Sequence, residues 1–161
     1  MPAQRSSLRA PRWEVVLLAA LGVAAPLELG CSGAKDARSA EADAQAAIAS
    51  TDTRIRGAWV LQSFVPEDPL EPMLKAMLEF QFGRLVIRLD GKRLVADSPG
   101  VHVERTYQIT EAKGDQFKLT TFDAQGVPYE STCMFQMDGR VQVHSTSDPW
   151  RGLAMISRAG P

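Results

Sequence analysis

Between residues 84 and 158 turn-forming residues break the chain at short, nearly regular intervals. Asp90-Gly91, Ser98-Pro99-Gly100, Lys113-Gly114-Asp115, Asp123 to Gly126 and Asp138-Gly139 each end one short run and start the next. Within the runs apolar and polar residues tend to alternate, as Val103, Tyr107 and Ile109 do on one face of theirs. A period of two sends successive side chains to opposite faces of a strand. Asp-Gly supplies the positive φ that a two-residue hairpin requires. The pattern predicts strands over residues 84–89, 93–96, 101–110, 116–122, 127–136, 140–145 and 153–158.

An eighth strand precedes them, over residues 57–65, and Pro66 stops its ladder. In that strand Trp59, Leu61 and Ser63 fall on one face and Val60, Gln62 and Phe64 on the other. A single helix is predicted next. Asp68 stands three residues before Glu71, a capping-box spacing, and Pro69 takes the first helical position. Leu70, Met73, Leu74, Met77 and Leu78 then form one apolar stripe, and Gly83 terminates it. Met73 and Met77 make this helix a candidate lid over an apolar ligand; the alternative is a permanent plug that completes the core.

Short connections favour antiparallel neighbours in chain order. Eight such strands predict an all-β protein: an antiparallel up-and-down barrel with one helix between its first two strands. Closure removes the unpaired edges an open sheet would expose. A β-sandwich, the rival, would need longer crossovers than these turns provide.

The N-terminal third is different. Arg5, Arg9 and Arg12 make a basic start, and residues 15–27 are an uncharged apolar run. That run is shorter than the roughly 20 residues a membrane-spanning helix needs, and it suits a secretory signal. It closes on Gly30-Cys31, which resembles the lipobox of bacterial lipoproteins. The resemblance implies a signal peptide over residues 1–30, lipid on Cys31, and a place in the bacterial cell envelope, with the outer membrane as default. A plain secretory signal is the alternative. Residues 31–53 are rich in Ala, Ser, Asp and Glu and read as a flexible tether, leaving residues 54–161 as the folded domain. Cys133, without a partner if Cys31 carries lipid, reads as a small buried hydrophobe.

The first and last strands add a second resemblance. Gly57-x-Trp59 at the head of the barrel, with Arg158 at the end of the last strand, resembles the lipocalins, and most of all the small lipocalin-like proteins of bacterial envelopes. In that family the basic residue lies across the indole and shuts the base of the barrel. The pair is physically sound, because a guanidinium over an indole face is a favourable cation–π contact.

An eight-stranded barrel is just wide enough to be filled by side chains or to hold one small ligand. If Trp59 faces inward, the pattern places Leu61, Val103, Arg105, Tyr107, Phe117, Leu119, Tyr129 and Cys133 inside with it. Arg105 is then either an anchor for an anion or the mark of a bulge.

Other chemistry is not encoded. The formal net charge of -1 gives no basic face for nucleic acid. His102 and His144 each alternate with apolar neighbours and are expected to face solvent, and neither builds a metal site or a triad. No nucleophile motif, phosphate loop or dinucleotide fingerprint is present, so neither an enzyme nor a cofactor is expected. The expected function is binding of a small apolar or amphipathic molecule in a lipid-anchored barrel. The alternative is a protein-interaction module with a solid core, working through the loop that carries Asp148, Trp150 and Arg151. The protein partner it would take is not specified.

Overall fold

The computed structural model describes residues 33–147 and 150–160. The signal peptide and Cys31 lie outside them, as does Asp148. Eight strands form one closed barrel: β1 (Gly57–Pro66), β2 (Val86–Asp90), β3 (Arg93–Ser98), β4 (Val101–Lys113), β5 (Gln116–Phe122), β6 (Pro128–Phe135), β7 (Val141–Ser145) and β8 (Gly152–Arg158). Each pairs antiparallel with its neighbours in chain order, and β8 returns to β1 from Trp59 opposite Arg158 to Pro66 opposite Gly152. The barrel therefore has a base, where β1 begins and β8 ends, and a mouth, where β1 ends and β8 begins.

Two helices accompany the strands: α1 (Gly33–Ile55) before the barrel and α2 (Pro72–Gln81) between β1 and β2. The first corrects the expectation of a flexible tether. Alanine supplies propensity along the run, and Ile48, Thr51, Asp52 and Ile55 recur at i, i+3, i+4 and i+7, a short stripe on one face. Ile55 and Thr51 are buried, and Ile48 packs against the core. The folded unit thus begins well before residue 54.

The start of α2 also differs from expectation. Its N-cap is Glu71, which makes no side-chain capping bond, and Pro72 rather than Pro69 opens the helix. The residue before a proline is pushed out of the α region. Glu71 accordingly sits at φ -56° and ψ 144°, and the helix cannot pass back through it to Asp68. The helix ends before Gly83: its C-cap, Phe82, is already extended at ψ 129° and donates its N–H to the Glu79 carbonyl, while the Gly83 N–H donates to the Leu61 carbonyl.

The core fills the base of the barrel. Trp59, Leu61, Leu89, Tyr107, Ile109, Phe117, Cys133, Phe135, Val141 and Ile156 are buried there with Ile55 of α1. Arg158 lies with its guanidinium carbon 4.2 Å from the centre of the Trp59 ring, the closure that Gly57, Trp59 and Arg158 predicted. The last turn of α1 joins it. The Trp59 indole N–H donates to the Ile55 carbonyl at 2.7 Å, and Arg158 donates to the carbonyls of Arg54, at 2.5 Å, and of Arg56. The final carbonyls of a helix have no partner within it; here the closure pair supplies donors. Gly57 is required at this crossing: its φ is +117°, and a Cβ there would collide with the Arg158 guanidinium.

Candidate functional site

The mouth half of the barrel is not filled. A cavity of about 560 Å³ opens there, within the range of small-molecule sites. Leu94, Ala96, Val101 and Val103 form one wall. Phe64, Met77, Leu78 and Trp150 form the opposite rim. Met77 is 58% exposed and Trp150 46%, so the cavity reaches solvent between α2 and the β7–β8 loop. Beneath it lies a second, apolar chamber of about 180 Å³, lined by Leu61, Phe117, Leu119, Cys133, Val143 and Ile156 among others, with Ile55 of α1 also facing it. Leu94, Thr121 and Ser131 line both spaces and form the belt between them.

The register explains how each polar group arrives. On β6, Tyr129, Ser131 and Cys133 alternate inward from mouth to base, and on β5 Thr121, Leu119 and Phe117 do the same. On β4, Val101, Val103 and Arg105 alternate into the upper cavity. The ladder is regular at Arg105, which lies opposite Leu94; the irregularity in β4 falls later, between Ile109 and Glu111. The bulge explanation for Arg105 is therefore excluded, and its side chain enters the cavity. It stacks on the Tyr129 ring, 4.3 Å from the centroid, and meets the Thr121 hydroxyl at 3.5 Å.

The Tyr129 hydroxyl in turn donates to Asp123 at 3.2 Å. Asp123 is held below the usual carboxylate range, first by the N–H of Val127 and then by that of Gln125, with Tyr129 and the charge of Arg105 adding. A turn carboxylate thus clamps the ring on which the guanidinium rests.

The sequence-derived candidates divide. Val103, Arg105 and Tyr129 line the upper cavity, while Leu61, Phe117 and Leu119 line the deep chamber. Tyr107 belongs to the base instead: its hydroxyl donates to Asp52 of α1 at 3.1 Å, and burial, together with that carboxylate, pushes its pKa up to about 12. Met77 lines the cavity as a lid residue would. Met73 is 74% exposed and stands apart from the lining. No residue of α2 is fully buried, so the helix does not plug the barrel.

Several lining residues were not anticipated. Phe64 faces the cavity because the β1–β8 pairing shifts between Leu61 and Ser63, which overturns the simple alternation that put Ser63 inside. Gln81 lines the cavity from the end of α2, and its side-chain oxygen is buried with no hydrogen-bond partner among the described residues. Thr121 and Ser131 were within reach of the alternation rule, two residues on from Leu119 and Tyr129.

The histidines lie apart from the cavity, each against a carboxylate: His102 on Asp97 at 2.6 Å and His144 on Glu67 at 2.6 Å. Among the described residues there is no cluster of three or more groups that would hold a metal ion, and no helix is long and apolar enough to cross a membrane. Compared with known proteins, the chain matches no family model, and no curated protein or solved structure is significantly similar to it.

Proposed function

We propose that this protein is a lipid-anchored, lipocalin-like barrel of the bacterial envelope that binds a small apolar or amphipathic molecule. The observation that carries the reading is the pair of stacked spaces, an upper cavity that reaches solvent above an apolar chamber. A barrel built only to present its surface has no need of an unfilled mouth half, because close packing of that volume would add stability. Trp150, the natural anchor of the interaction reading, packs edge-on against Phe64 with ring centroids 6.4 Å apart and lines the cavity. It therefore serves the mouth.

The anchor is part of the same proposal and rests on Gly30-Cys31 after an apolar run. The 23-residue α1 then follows the anchor two residues on. Its last two turns dock on the barrel, so only the part before Ile48 acts as a spacer, about 22 Å at 1.5 Å per residue.

The test is a titration of the full chain with a fluorescent fatty-acid analogue. Saturable uptake at one molecule per chain supports the reading. Absence of uptake, or uptake unchanged by filling the cavity with Ala96→Phe, rejects it.

A further inference from the structure

Among the described residues that line the upper cavity, Arg105 alone is charged. None of the ion pairs among the described residues includes it. Its one hydrogen bond there, to Thr121, is 3.5 Å long, at the outer limit of such contacts. Most of its five N–H donors are therefore uncommitted to protein. A half-buried cation usually finds a carboxylate, and the one whose pKa it perturbs, Asp123, is already engaged. One Asp123 oxygen accepts from the N–H groups of Gln125 and Val127, and the other from Tyr129.

The position of Arg105 is as informative as its charge. It lies two residues mouthward of Tyr107, whose strand partner Thr121 belongs to the belt between the two spaces. At about 3.3 Å per residue the guanidinium carbon chain starts some 7 Å above that belt. Below the belt every lining residue is apolar. Gln81 lines the same cavity from the end of α2. The cavity thus has a cationic fork that reaches the belt at Thr121, with hydrocarbon walls beneath.

We infer that the occupant is a single-tailed anionic amphiphile, its carboxylate or phosphate head on Arg105 and its tail in the chamber floored by Ile55. The inference rests on the ligand-binding reading and narrows it to one class. Carboxylate and phosphate each present two oxygens that the planar fork of a guanidinium can bind with two parallel hydrogen bonds. Tyr129, clamped by Asp123, holds the fork in place before the ligand arrives.

The experiment is displacement of the neutral probe phenylnaphthylamine from the full chain by four ligands with one tail: dodecanoate, dodecyl phosphate, dodecanol and dodecyltrimethylammonium. The expected result is that one or both anions displace the probe at a concentration at least about tenfold below dodecanol, the value of a charge-assisted contact. The cation is expected to be weakest. The stronger anion identifies the head group. In Arg105→Met, which keeps the aliphatic stem over Tyr129, the preference for the anions disappears while dodecanol is unaffected. Equal displacement by dodecanol and both anions, or a preference that survives in Arg105→Met, overturns the inference and leaves the binding barrel standing. Failure of the neutral probe to bind at all overturns the binding reading itself. The comparison among head groups in the unaltered chain holds even if the variant does not fold.

Discussion

The guanidinium of Arg158 covers the Trp59 ring at 4.2 Å and also donates to the carbonyls of Arg54 and Arg56. One side chain therefore joins the last strand, the first strand and the end of α1. Arg158→Met keeps the aliphatic stem and removes the fork. It is expected to cost about 2 kcal/mol, the sum of an exposed cation–π contact and weakened carbonyl bonds. Arg158→Lys should recover less than half of that, since an ammonium cannot reach two carbonyls and an indole together. Denaturant titrations of the three chains measure both differences.

At the same crossing, Gly57→Ala meets two obstacles. Its φ of +117° lies where L-residues are strained, and the new methyl would strike Arg158. A loss of roughly 1–3 kcal/mol is expected. In the double variant Gly57→Ala with Arg158→Met the collision disappears, so the combined loss should be smaller than the sum of the two. Strict additivity would show that Gly57 is needed for its backbone angle alone.

The barrel and its closure were legible because their signals are local and repeat: Asp-Gly turns, alternation, a glycine before a tryptophan. The cavity was legible in part. Arg105 and Tyr129 follow from counting by twos along regular stretches of β4 and β6. Phe64 does not, because one bulge in β1 reverses which residues face inward. The helix α1 was hidden for another reason. Only its last two turns carry apolar residues toward the core, and the polar, alanine-rich remainder outweighs Ile48 and Ile55 in any average over the run. What makes it a docked element is the set of contacts from Trp59, Tyr107 and Arg158, all distant in sequence.

That docking predicts a graded exchange pattern. Trp59→Phe removes the indole N–H that binds the Ile55 carbonyl at 2.7 Å, in a site where Trp59 is 1% exposed. Leaving that carbonyl unpaired and the pocket under-filled should cost about 1–3 kcal/mol. Amide hydrogen exchange is expected to speed up first in residues 48–55, with β4 to β7 keeping their protection. Uniform acceleration across all strands would mean that α1 and the barrel unfold as one unit.

Two buried groups set the behaviour at high pH. Burial raises the Cys133 thiol from 9.0 to about 12, and burial with the Asp52 charge raises Tyr107 from 10.0 to about 12. Both hold their protons more tightly folded than unfolded. Their contribution to stability is therefore whole below about pH 9 and falls away as pH climbs toward 12. Tyr107→Phe should flatten the upper part of that decline, from pH 10 onward, and Cys133→Val the part that begins near pH 9. The same burial predicts that Cys133 is inert in the folded chain, since the thiolate is the reactive form. Its labelling by a disulfide reagent at pH 8 should proceed no faster than global unfolding and should accelerate with denaturant in step with it. Rapid labelling of native protein would mean that the deep chamber opens to solvent, and that its floor at Ile55 moves on the timescale of the reaction.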